Sequence, residues 1–200
     1  MSNELPLGVL VGGGPGSGKS TLAAALGERL DIPVLSKDQL VHGVWRTQRR
    51  GFNLGAAGVE PFYATMELWL SHGISFVAEQ SFFRGVSEPD VAGRLAAHAV
   101  LVNVHCRSAD ALARWERRMR MGPLCGDKRL DSLRPLVSKL QDELFEPLDF
   151  GCPTILVDTS DGHSPDVNEI VSRIDGLYGR PMIHDLDKPA PPEPERSEET

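Results

Sequence analysis

Along this chain, short apolar runs alternate with longer stretches whose apolar positions recur at helical spacing. Leu7-Gly-Val-Leu-Val11 stops at glycines and reads as a buried strand. Similar runs at Ile32–Leu35, Ile74–Ala78, Ala99–His105 and Thr154–Val157 predict four more strands, with Pro33 shortening the second. Helical periods follow over Leu22–Leu30, from Asp38 to about Arg49 (Leu40, Val41, Val44 and Trp45 on one side), and over Glu60–Ser71 (Phe62, Met66, Trp69 and Leu70 inward). Ser87-Glu-Pro-Asp90 opens another helix, with serine at the cap and acids in the first turn. Ser108 caps a helix to about Met121, and a further helix spans Ser132–Phe145. Ser164-Pro165 opens the last helix, which Gly179 and Pro181 close. Gly51–Gly58 is rich in glycine and predicts a loop.

Strands alternating with helices predict an α/β fold, a five-stranded, mainly parallel sheet covered by helices on both faces. Right-handed crossovers then place a ligand at the carboxyl ends of the strands. At 200 residues the chain is long enough for one domain, expected over residues 1–180. The last twenty residues, 181–200, hold Asp185, Asp187, Glu193, Glu195, Glu198 and Glu199 against Lys188 and Arg196, together with five prolines. That composition predicts an acidic, largely disordered tail.

The net charge of −7 offers no electrostatic footprint for duplex nucleic acid. No apolar run approaches the ~20 residues of a membrane span, and no basic stretch followed by an apolar segment marks a signal peptide. Cys106, Cys125 and Cys152 are odd in number and widely spaced, which argues against a disulfide framework or a zinc pattern and predicts reduced thiols in the cytoplasm. The six histidines form no metalloprotease pattern.

Between the first strand and helix lies Gly13-Gly14-Pro15-Gly16-Ser17-Gly18-Lys19-Ser20-Thr21, a match to G-x-x-x-x-G-K-[ST]. The chemistry needs these residue types. Glycines let successive backbone N–H groups converge on phosphate oxygens where a side chain would clash. The helix that follows aims its positive end at the same oxygens. Lys19 supplies a mobile ammonium to the β- and γ-phosphates, and the Ser20 hydroxyl is a Mg²⁺ ligand. The motif therefore predicts a P-loop NTPase three-layer sandwich that binds a nucleoside triphosphate, ATP with Mg²⁺, at Gly13 to Thr21. It does not distinguish a kinase from a switch or a motor.

The phosphate loop, followed by Ser36-Lys-Asp38 after the second strand, resembles the small P-loop kinases, in particular the polynucleotide kinase, zeta-toxin and chloramphenicol phosphotransferase group. The resemblance covers about residues 5–178. It implies that Asp38, at the position of the group's acid, takes the proton from the acceptor hydroxyl. Asp38 also opens the predicted helix, where an aspartate serves as a cap. Several relatives carry an arginine three residues after this acid; Val41 stands there instead. Glu79, ending the third strand, resembles a Walker B acid that holds Mg²⁺ through water. Arg84 is a substrate candidate. Arg46, Arg49 and Arg50 are candidates for an anionic acceptor.

From Arg107 to Arg134 eight basic residues face four acids. In related kinases this region, here about 107–130, is the lid, where one arginine stacks on adenine and others clamp the transferring phosphate. Arg114 and Arg118, four apart, share one helical face, and planar guanidinium suits both tasks. Trp115 reads as core. The turn Asp158-Thr159 is expected beside the base. The reading that results is a kinase moving the γ-phosphate of ATP to a hydroxyl of a small molecule, with Asp38, Lys19 and Arg118 in the chemistry. The alternatives are a nucleotide-binding regulatory module with slow hydrolysis and a polynucleotide 5′-kinase. The acceptor and the oligomeric state are not legible.

Overall fold

The computed structural model describes residues 5–41, 54–121, 134–135, 137–138 and 145–178. Its strands are β1 (Leu7–Gly12), β2 (Val34–Ser36), β3 (Phe76–Glu79), β4 (Val100–Arg107) and β5 (Thr154–Asp158). The helices are α1 (Lys19–Leu30), α2 (residues 37–41), α3 (Leu54–Ser71), α4 (Glu88–Arg94), α5 (Ala111–Met121) and α6 (Val167–Tyr178). The strands form one five-stranded sheet in the order β2-β3-β1-β4-β5, and every pairing is parallel.

Both sheet faces are covered, which is why its strands read as nearly unbroken apolar runs. On one face Leu7, Val9 and Val11 of β1 pack with Leu22, Leu26 and Leu30 of α1 and Ile170, Val171 and Ile174 of α6. On the other, Leu10, Phe76 and Ala78 meet Phe62, Tyr63, Met66 and Leu70 of α3, Val91 of α4 and Leu95 just after it. Each such leucine, fully buried, contributes about 1.5–3 kcal/mol relative to exposure. The three-layer arrangement is the one predicted.

Several local expectations are corrected. Residues 54–58 are helical, not loop. A Cβ on Gly58 would lie 2.2 Å from Val41 Cγ2, so glycine is what lets α3 lie against α2. Helix α2 starts at residue 37, which puts Asp38 in its first turn rather than at the cap. Ser87 flanks α4, yet its Oγ accepts from the Phe83 N–H at 2.9 Å and makes no cap bond to the helix. Asp166, not Ser164, caps α6, accepting from the Glu169 N–H at 2.9 Å, while Ser164 bridges back to Asp158. Ser108 lies ahead of α5, and its Oγ accepts from the Asp110 N–H at 3.2 Å within the turn that leads into the helix. The predicted helix beyond residue 41 with Arg46, Arg49 and Arg50, Cys125, the part of the lid at 122–130 and the tail at 181–200 lie outside the described residues. Among the described residues no helix is long and apolar enough to cross a membrane.

Candidate active site

At the carboxyl edge of the sheet the chain leaves β1 and turns through the glycine loop into α1. Gly13, Gly16 and Gly18 hold positive φ values of 136°, 84° and 82°, a region that side-chain-bearing residues rarely occupy. Space is equally strict, since a Cβ on Gly16 would stand 1.9 Å from the Ala111 carbonyl oxygen. Gly18 precedes α1 and no side chain caps the helix. The N–H groups of its first turn therefore have no intrahelical acceptor and are available to an anion. Ser17 Oγ is buried without a hydrogen-bond partner among the described residues.

Glu79 is the acid at the centre of this edge. Parallel register sets Ser36 on one side of it and Val11 on the other, and the residue is 1% exposed. Its carboxylate accepts from Ser36 Oγ at 2.7 Å and from Ser20 Oγ at 3.1 Å. Lys19 Nζ stands 3.6 Å from the same oxygen that Ser20 contacts. A buried carboxylate keeps its charge only where such partners surround it. Lys37, next to Ser36, faces Asp38, Glu79 and Lys19; burial holds its ammonium below the ordinary lysine range, and the two carboxylates oppose that shift. Asp38 is exposed, two residues past Ser36, and its charge acts on Lys37.

Helix α5 crosses above the loop. Arg114 and Arg118 line one cavity of about 290 Å³ together with Gly16, Gly18, Lys19, Ser20 and Thr21. The two arginines are not equivalent. Arg114 donates from Nη1 to the Thr159 carbonyl at 2.9 Å and from Nη2 to the Ser160 carbonyl at 2.7 Å. Arg118 is exposed and makes no such contact among the described residues. Trp115 is buried, as expected of core. A second cavity of about 540 Å³ adjoins the loop at Gly14 and Ser17 and is walled by Arg107, Phe145, Glu146 and Asp158, the last from the turn after β5. Arg84, the substrate candidate, pairs with Asp149 at 2.9 Å, both side chains exposed.

These residues fit a triphosphate and Mg²⁺. A Cβ on Gly13, Gly16 or Gly18 would strike Cys106, Ala111 or Thr159, so the loop backbone there stays bare; Ser17 adds a buried hydroxyl with no partner among the described residues, and Lys19 a basic side chain. Ser20 and Glu79 supply hard oxygen donors, and Mg²⁺ is commonly held by one or two such groups plus phosphate and water. No cluster of three or more His, Cys, Asp or Glu side chains forms a metal cage among the described residues. Sequence reasoning named the Ser36-Lys-Asp38 motif and the Asp158-Thr159 turn but gave no part to the Ser36 hydroxyl, Lys37 or the Thr159 hydroxyl, because their bonds join segments distant in the chain.

A phosphate loop between β1 and α1 at the carboxyl edge of a parallel sheet defines a P-loop protein. A family model described as an AAA domain (AAA_33) matches residues 9–127, and the chain belongs to that family. A comparison with curated proteins finds no match. Among solved structures, a candidate kinase from Chloroflexus aurantiacus is similar at 23% identity and a TM-score of 0.72, covering 88% of this chain and 97% of that one. The APS kinase of Mycobacterium tuberculosis, solved with AMPPNP and APS, is similar at 17% identity and a TM-score of 0.55, over 88% and 99%. Shikimate kinase from Acinetobacter baumannii, solved with shikimate, is similar at 17% identity and a TM-score of 0.54, over 86% and 94%. The chain thus has the fold of the small P-loop kinases.

Proposed function

We propose that the protein is a Mg²⁺-dependent kinase that transfers the γ-phosphoryl group of ATP to a hydroxyl of a small molecule. The observation that carries this reading is the Glu79 cluster, in which one buried carboxylate gathers Lys19, Ser20 and Ser36 beside the glycine loop. The acceptor oxygen forms a bond to the γ-phosphorus while the bond from that phosphorus to the β,γ-bridging oxygen breaks. ADP leaves with the electron pair, and the hydroxyl proton passes to the Asp38 carboxylate. Lys19 offsets charge on the β- and γ-oxygens, and Arg118 reaches over the loop from α5 to do the same from the other side. Ser20 and Glu79 would hold Mg²⁺, which when bound neutralises phosphate charge. The fold shared with shikimate kinase and APS kinase supports a small-molecule acceptor.

The test is a screen of hydroxyl-bearing metabolites, nucleosides and aminoglycosides for an ATP-dependent mass gain of one phosphoryl group. With an acceptor in hand, Asp38→Asn is expected to slow transfer by about 10²–10⁴-fold, the usual range for a lost general base. Affinity for ATP should change little. Turnover within about twofold of wild type would remove Asp38 from the reaction.

A further inference from the structure

Thr159 sits in the turn after β5, and only 4% of its surface is exposed. Its hydroxyl donates to the Ser17 carbonyl at 2.7 Å, with the Arg107 carbonyl at 3.1 Å as a second acceptor. It also fills the space beside the next residue, since a Cβ on Gly18 would meet Thr159 Oγ1 at 3.1 Å and Thr159 Cβ at 3.2 Å. The turn is itself held from several sides. The Thr159 N–H donates to the Arg107 carbonyl at 2.8 Å, and the Ala109 N–H donates to Ser160 Oγ at 3.0 Å. Arg114 closes it from α5 through the two bonds to the Thr159 and Ser160 carbonyls. An unbroken series of bonds therefore runs from α5 through this turn into the phosphate loop.

The consequence follows from peptide geometry. In a trans peptide the carbonyl of one residue and the N–H of the next point in opposite directions. Fixing the Ser17 carbonyl on Thr159 turns the Gly18 N–H away from Thr159, and Gly18 lines the cavity with Lys19 and Ser20. A loop that binds anions must present N–H groups and keep carbonyls out. We propose that Thr159 is a positioning residue for the phosphate loop, holding the Ser17–Gly18 peptide in its anion-binding orientation, and that Arg114 acts through Thr159 rather than on the phosphates. The proposal rests on the nucleotide reading above.

Calorimetry with two Mg²⁺-loaded probes, AMPPNP and inorganic tripolyphosphate, tests it on the full chain at a temperature where each variant is folded. Thr159→Val keeps the branched shape and removes the hydroxyl; it should weaken both probes by about tenfold. Thr159→Ser keeps the hydroxyl and should bind within about twofold of wild type. Should the valine variant not fold, Thr159→Ser against Thr159→Ala isolates the same hydroxyl and carries the same expectation. Arg114→Lys can hold only one of the two carbonyls; added to Thr159→Val, it should weaken binding no further. Equal affinity of the valine and wild-type proteins, or a serine variant as weak as valine, overturns the role of Thr159. Additive losses in the double variant overturn the role of Arg114. A wild-type protein that binds neither probe overturns the nucleotide reading itself, and this proposal with it.

Discussion

Gly16 and His105 show how tightly single residues are specified near the loop. At Gly16 two constraints coincide, a φ of 84° and a neighbouring backbone oxygen that a Cβ would approach to 1.9 Å. The left-handed conformation alone costs another residue about 1–2 kcal/mol, and the oxygen belongs to Ala111 at the start of α5. Gly16→Ala is therefore expected to lower the melting temperature and to abolish calorimetric binding of Mg·AMPPNP; binding within about twofold of wild type would contradict this account. His105 is 2% exposed on β4, and its Nε2 lacks a partner among the described residues. Burial, reinforced by the Arg107 cation, lowers its pKa from 6.5 to about 4. Between these values the unfolded chain binds a proton that the folded chain refuses, so stability falls as pH drops from 6.5 towards 4 and the slope ends below that. Across the window the loss amounts to about 3 kcal/mol. Urea midpoints measured from pH 7 to pH 4 should show it, and His105→Gln should remove that component of the slope; equal slopes in the two proteins would contradict it.

Among the elements, the junction of α2 and α3 is where sequence and structure part most clearly. Glycines between residues 51 and 58 read as a loop because isolated glycines weaken helices by about 1 kcal/mol each. Helix α3 nonetheless includes Gly58, because a residue with a side chain could not lie against Val41 at that distance. The same contact gives Val41 a packing role. Gly58→Ala therefore sets a helix gain of about 1 kcal/mol against an overpacking cost of about 1–3 kcal/mol, and a net loss is expected. Shortening the partner separates the two. In a Val41→Ala background the clash is gone, and Gly58→Ala should become stabilising. Chemical denaturation of the four proteins should give a coupling of at least about 1 kcal/mol; additive effects would show that the two residues do not meet. Strands, the phosphate loop and Glu79 at a strand end were legible because each is written in local pattern. The bonds of Glu79 to Ser20 and Ser36 were not, since they join residues 59 and 43 positions apart. Nor was the commitment of Arg114 to the turn after β5: spacing says that Arg114 and Arg118 share a face, not what each one meets.

Across the whole molecule, the order β2-β3-β1-β4-β5 puts the phosphate-loop strand at the centre, with Glu79 on the neighbouring β3 and the Asp158-Thr159 turn at the end of β5 on the other side. No local pattern encodes that order, because it depends on pairings between distant segments. Residues from the ends of all five strands and from α1, α2 and α5 thereby meet at one sheet edge. Ligand binding there should be felt as global stability, since a ligand bound by the folded state alone stabilises it in proportion to the logarithm of its concentration over Kd. At one hundred times Kd the gain is about 2.7 kcal/mol. For a chain of this size each kcal/mol moves the melting temperature by about 2–4 °C. Mg·AMPPNP at that excess is thus expected to raise the melting point by about 5–11 °C. Lys19→Ala removes the basic group from the loop and one partner of the buried Glu79, so its own melting point without nucleotide should fall below wild type, and the rise on adding nucleotide should largely vanish. Glu79→Gln retains hydrogen bonding to Ser20 and Ser36 but discards the charge. It should bind AMPPNP similarly with and without Mg²⁺, whereas wild type gains affinity when the ion is added. A Lys19→Ala protein with the full wild-type rise would mean that the nucleotide binds elsewhere. A Glu79→Gln protein that still gains from Mg²⁺ as wild type does would remove Glu79 from the metal's surroundings.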